Sequence, residues 1–187
     1  DAKIIVDGKY VDGVGGGVCQ VSTTLYNALL LADIAVLNRS RHSLVSGYVL
    51  SGFDAMVSSS ADLIFQNNTG EDVVITAGVR DRNAVIAVYG IKNPYQIKRV
   101  SVETKRIPPE TQVIVDTEKK YADRVLYDDE TFVLTNGSDN VEAEAYLVYY
   151  SGGKEVAKKL LHTDRYSPAP RIIVKGAEKR PQIAEGK

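Results

Sequence analysis

The sequence predicts an α+β domain, one long helix packed on an antiparallel sheet, followed by an elongated all-β domain. Three observations carry that expectation. Val21, Leu25, Ala28, Leu29 and Ala32 recur at i, i+4, i+7, i+8 and i+11, which is one face of an α-helix. Beyond them the chain changes to short β-rich stretches separated by Gly, Asn, Asp and Ser. Asn93-Pro94 and Pro108-Pro109 then break the pattern, and the strands that follow alternate without a convincing helical stripe. The boundaries read from these changes are a first domain over residues 1–95, a second over 96–176 and a charged tail or linker over 177–187.

The elements follow in order. Ala2 to Val11 offers two short apolar runs around Asp7-Gly8, which suits a hairpin whose turn uses that pair. A glycine run from Gly13 to Gly17 leads into the helix, with Ser22, Thr23 and Asn27 largely off its apolar stripe. Candidate strands are Leu44 to Leu50, Ala55 to Ser58, Asp62 to Gln66, Val73 to Ala77 and Ala84 to Tyr89, then Ile97 to Thr104. Val141 to Tyr149 alternates, Ser151-Gly152-Gly153-Lys154 supplies a turn, and Glu155 to His162 returns as a strand with a Lys-rich solvent face. Arg171 to Val174 is the last strand, framed by Pro168 and Pro170.

Composition limits the function classes. With 44% hydrophobic and 25% charged residues the 187-residue chain sits in the globular range. Its 23 basic and 24 acidic side chains leave a formal net charge of -1, so no global field draws in nucleic acid or an anionic bilayer. No apolar run approaches the ~20 residues needed to span a membrane, so no membrane contact is expected within this fragment. One Cys excludes an internal disulfide, and one Cys with one His in the first domain falls short of a zinc ligand set, so neither metal nor cofactor is expected. The start DAKIIVDGK lacks Met, and the chain is read as a piece of a longer protein whose export signal or anchor lies elsewhere.

The stretch Gly15-Gly16-Gly17-Val18-Cys19-Gln20-Val21-Ser22-Thr23-Thr24-Leu25-Tyr26-Asn27 resembles the signature of the VanW family. Arg39 to Ser43, Tyr48, Gly52-Phe53-Asp54-Ala55 and Asn67-Asn68-Thr69 continue the likeness in order, over roughly residues 1 to 90. Arg106-Ile107-Pro108-Pro109-Glu110-Thr111, then Tyr149 through Val156, then Ile173 to Gly176 are similar to the G-five (G5) surface domain; Gly137, Gly153 and Gly176 fit, while other glycines are replaced around Asp139-Asn140. Together the resemblances imply an extracytoplasmic bacterial cell-envelope protein, in a family associated with vancomycin-resistance clusters, with peptidoglycan or another wall polymer or peptide as partner.

One candidate site follows. Cys19 lies where the helix begins, and a helix N-terminus favours the thiolate. An acyl-transfer cysteine needs a base and the base an orienter; His42 supplies the first, Asp54 the second, with Asp62 as the alternative orienter. The order Cys on a helix, then His, then Asp on strands resembles the transglutaminase-like cysteine core. Gly17, Gln20, Ser22 and Thr23 are the candidate oxyanion or substrate-positioning residues. Two functions stay open: a cysteine acyl transferase or hydrolase acting on peptidoglycan or a wall-linked peptide, and a non-catalytic wall-binding or scaffolding module with a structural Cys19. His162 reads as a surface or strand-end residue, and Tyr146, Tyr149 and Tyr150 either pack the sheet or stack on sugar rings.

Overall fold

The computed structural model describes residues 2–6, 9–13 and 17–181, with side chains from residue 17 onward. The chain is mostly β: among the described residues one helix of 14 residues stands beside twelve strands, which corrects the expected α+β architecture and its transglutaminase-like core. The correction has a local cause. Leu44 to Leu50 forms no strand, and Ala55 to Ser58 contributes only isolated bridges from Met56 to Ser40 and from Ser58 to Ala61. The sheet on which a long helix was to lie is therefore absent, and residues 39–63 run as a folded loop.

Strands β1 (Ala2–Val6) and β2 (Lys9–Gly13) form the expected antiparallel hairpin with Val6 opposite Lys9; the Asp7-Gly8 turn and the glycines Gly15 and Gly16 lie outside the described residues. Helix α1 (Val18–Leu31) follows, with Gly17 at its N-cap. Its buried residues are Ser22, Thr23, Tyr26, Asn27, Leu29 and Leu30, while Val21 is exposed. The helix is thus rotated from the apolar stripe, and three polar side chains expected on the open side face inward.

Short pairs come next. Strand β3 (Ala35–Asn38) pairs antiparallel with β4 (Ile64–Gln66), and β5 (Val74–Arg80) with β6 (Asn83–Tyr89), whose inner face meets α1. Strand β7 (Gln96–Ile107) leads into β8 (Thr111–Val115), then β9 (Thr131–Thr135), β10 (Asn140–Ser151), β11 (Lys154–Tyr166) and β12 (Arg171–Lys175). Two three-stranded sheets result, in the orders β11-β10-β7 and β8-β12-β9, with β8 and β12 parallel. Ser151 pairs with Lys154 across Gly152 and Gly153, both at positive φ, which is the two-residue turn the sequence announces.

Burial continues across the composition break near residue 95. Tyr26 and Leu30 of α1 and Phe53 and Ala55 of the loop pack with Ile97 of β7 and with Ala145 and Leu147 of β10 in one cluster. A second cluster joins Val141, Ala143 and Tyr166, with Val45 against it. Alternate residues of β10 from Val141 to Leu147 supply the wall, and its alanines leave room for the loop to come close. Gly52 makes the closest approach: at φ +87 a Cβ there would stand 2.9 Å from the Ala145 Cβ, so a side chain is excluded on both counts.

The charged end of the chain is docked rather than free as far as it is described. The Glu178 N–H donates to the Leu126 carbonyl (3.0 Å) and its carbonyl accepts from Asp128 N–H (2.7 Å). Arg180 bridges Asp129 (2.9 Å) and Glu130 (2.8 Å).

Candidate functional site

The motif residues converge on one buried segment, Ser51 to Ala55, every residue of which is buried. A buried main chain outside a sheet must find partners elsewhere, because an unpaired carbonyl in the interior is costly. Here side chains provide them at all five carbonyls. Ser101 Oγ donates to Ser51 O (2.7 Å), His162 Nε2 to Gly52 O (2.8 Å), Asn27 Nδ2 to Phe53 O (2.8 Å) and Arg39 Nε to Asp54 O (2.5 Å). Ser22 Oγ and Thr23 Oγ1 both donate to Ala55 O, at 2.6 and 3.3 Å. Thr23 Oγ1 also accepts the Ala55 N–H (2.9 Å), and Tyr166 Oη accepts the Gly52 N–H (2.7 Å).

The carboxylate of Asp54 is the centre of this arrangement, and its residue is 1% exposed. One oxygen receives Arg39 Nη2 (2.7 Å) and Tyr166 Oη (2.6 Å); the other receives the His42 main-chain N–H (2.6 Å) and the His42 Nδ1 (2.7 Å). Burial alone would push this carboxyl up, but the His42 ring, the Arg39 charge, the His42 N–H and the Tyr166 hydroxyl outweigh it and hold the group at about 2. An ionised carboxylate can only accept, so the proton in the His42 bond sits on Nδ1. Arg39 continues to Asp164 Oδ2 (2.7 Å). Burial works against the charged guanidinium, yet the two carboxylates prevail and raise its affinity for the proton. Tyr166 is pushed far above the ordinary phenol range by burial and by Asp54.

Of the predicted catalytic residues, His42 and Asp54 are brought together and Cys19 is bonded elsewhere. Cys19, half-buried, directs its thiol to the Val57 carbonyl (3.5 Å), and no hydrogen bond joins it to His42 among the described residues. Ser22 and Thr23 have their hydroxyls committed to Ala55, Gln20 is exposed, and Gly17 caps the helix through its carbonyl, which accepts the Val21 N–H (3.0 Å). Asp62, the alternative orienter, is exposed, and its carbonyl accepts from Asn38.

Sequence reasoning missed Arg39, Asp164, Tyr166 and the inward role of His162. Arg39 stands in the quoted RSRHS stretch, which was a signal; the other three share the last turn of alternation in β11 and carry no signal that points across more than a hundred residues. A cleft of about 500 Å³ opens beside this hub, lined by Tyr26, Asp33, Arg39, Tyr149, His162 and Asp164 among others. Tyr149 donates to Asp33 there (2.9 Å), while lysine ammoniums cover the rings of Tyr146 (Lys158, 4.2 Å) and Tyr150 (Lys98, 4.8 Å).

Comparison with known proteins agrees with the motifs. Residues 1–89 match the family model described as VanW like protein, and residues 98–178 match that of the G5 domain. A Bacillus subtilis (strain 168) protein described as uncharacterized protein YoaR is 37% identical over 112 residues, covering 58% of this chain and 37% of that protein. The chain therefore spans little more than a third of that relative's length. The crystal structure of HP0197-G5 and the IgA1 protease G5 domain structure are each matched along their whole length at 21% identity. They cover 45% and 48% of this chain, with TM-scores of 0.22 and 0.27.

Proposed function

From the union of a VanW-like region with a G5 domain, which marks the chain as cell-wall-associated, we propose that it is a non-catalytic module binding wall polymer or its peptides. The observation that carries this reading is the commitment of the motif side chains to the main chain of Ser51 to Ala55. His42 and Asp54 do hold a base-and-orienter geometry through the Nδ1 bond, but among the described residues no hydrogen bond joins that pair to the Cys19 thiol. A general base must reach the proton it takes, whereas the lone thiol bonds a main-chain carbonyl. Cys19 in this reading is a structural residue that ties the start of α1 to the Val57 carbonyl.

In this reading the hub is a rigid mount that fixes the first region on the G5 sheet, and recognition occurs in the clefts beside it. Rigid mounting lowers the ordering cost of binding. The test is retention on purified peptidoglycan sacculi. Cys19→Ser is expected to be retained like the parent chain, with no soluble fragments released. Absence of retention, or fragment release that disappears in Cys19→Ser, would overturn the proposal.

A further inference from the structure

A second groove, of about 660 Å³, lies between α1, residues 47–50, β6 and β7, and shares Thr23 and Asn27 with the braces of the buried segment. Its walls are largely aliphatic or aromatic: Ala28, Leu31, Tyr48, Val49, Leu50 and Ile86. Thr23, Thr24, Asn27 and Gly47 complete it, and Arg99 is its one charged lining residue. Tyr48 and Leu50 stand 47% and 56% exposed, so the groove is open to solvent.

Arg99 is held by neutral groups, as Arg41 is by the His42 carbonyl and the Tyr166 ring, whereas other anchored arginines pair with carboxylates. Arg39 is neutralised by Asp54 and Asp164, Arg106 by Glu103 and Asp139, and Arg180 by Asp129 and Glu130. Arg99 has no carboxylate partner among the residues whose side chains are described. Its Nη1 donates to the Asn27 amide oxygen, and its guanidinium lies 5.7 Å from the centre of the Phe53 ring. Both contacts fix the plane of the fork without cancelling its charge. Burial, with nothing opposing it, lowers its proton affinity. A half-buried cation held in place without a counter-ion among the described side chains, in the lining of a groove with aliphatic walls, is a receptor for an anion, and the planar fork suits a carboxylate.

We propose that this groove binds a carboxylate-terminated ligand with a small aliphatic body, such as the C-terminus of a peptide of small residues, through Arg99. This rests on the wall-binding reading for its source, a wall peptide, and not for its chemistry. The carboxylate displaces water from the guanidinium, while the methyl-sized side chains lie against Leu31, Val49 and Leu50. Asn27 serves both sites: its Nδ2 secures Phe53 and its oxygen aims Arg99.

The experiment titrates the intact chain with N-acetyl-Ala-Ala and with its C-terminal amide, following chemical shifts. The free acid is expected to saturate on the order of millimolar, as suits so few contacts, and the amide to bind about tenfold more weakly or worse. Arg99→Gln is expected to lose about tenfold and Arg99→Lys less. Leu50→Glu, at an exposed rim position that leaves the Arg99 contacts intact, is expected to weaken binding similarly by supplying a competing carboxylate. Equal binding of acid and amide, unchanged affinity in both Arg99→Gln and Leu50→Glu, or no saturation sinks the proposal. Retention on sacculi without dipeptide binding overturns this site and leaves the wall reading standing. Dipeptide binding without retention does the reverse, and makes a protein C-terminus the ligand.

Discussion

Strand β10 and the segment Ser51 to Ala55 lie against each other, and they satisfy their main chains in opposite ways. In β10 the work is done by ladders on both sides, to β7 and β11, and the side chains are left to alternate between core and surface. In Ser51 to Ala55 no ladder exists and side chains do the bonding, five carbonyls drawing on Ser22, Thr23, Asn27, Arg39, Ser101 and His162. A laddered strand tolerates replacement of its outward residues, since none holds the backbone. A segment braced by side chains makes each brace a structural residue, however polar or catalytic its type.

The largest difference should come from the centre of the braced segment. Asp54→Ala is expected to cost about 3–5 kcal/mol, because it leaves buried His42 and Tyr166 groups unpaired and removes one of the two carboxylates on Arg39. Denaturant unfolding measures it; a loss below about 1 kcal/mol would show that the lattice can be dispensed with.

The same carboxylate predicts an acid limit. Its folded value of about 2 lies below the ordinary 3.8, so its contribution is complete above about pH 4 and is lost as pH falls toward 2. Integrated over that shift the contribution is about 2 kcal/mol. Stability measured between pH 5 and 2 should fall by that amount in the parent chain and be flat over this window in Asp54→Asn, apart from the other carboxylates common to both.

Smaller effects sharpen the contrast. Thr23→Val keeps the shape and removes an oxygen that both accepts from and donates to Ala55, at an expected cost of about 1–3 kcal/mol. Lys159→Ala, an exposed position of β11 paired with Leu147 at the rim of the first cleft, is expected to stay within about 0.5 kcal/mol. Parity of the two substitutions would erase the distinction between braced and laddered backbone.

The same distinction governs what could be read from the sequence. The β10–β11 hairpin was legible because a ladder imposes period two on Val141 to Tyr149 and a two-glycine turn on its end. Leu44 to Leu50 is as rich in apolar and β-branched residues as a short strand, yet the main chain there turns back to bring Ser51 to Ala55 under α1, and such composition cannot distinguish the two outcomes. Strands β3, β8 and β9 went unread: β8 is exposed along its length and finds its partner β12 some 60 residues on, so no local pattern marks it. In the site, the pairing of His42 with Asp54 was legible from motif order. The inward turn of Ser22, Thr23 and Asn27 was not, because a hydrophobic stripe assigns polar residues to water unless a buried main chain is there to claim them.

The braces also fix an order of events. Arg39 to Asp164, Tyr166 to Gly52 and Tyr166 to Asp54 join residues 125, 114 and 112 positions apart. While the chain is being made, Ser51 to Ala55 is complete long before β11 exists, and until β11 arrives the Gly52 carbonyl lacks His162 and the Asp54 carboxylate lacks Tyr166. Contacts of such sequence separation form slowly and together. The bracing of the first region is therefore completed only after Tyr166, at the end of β11, has been synthesised.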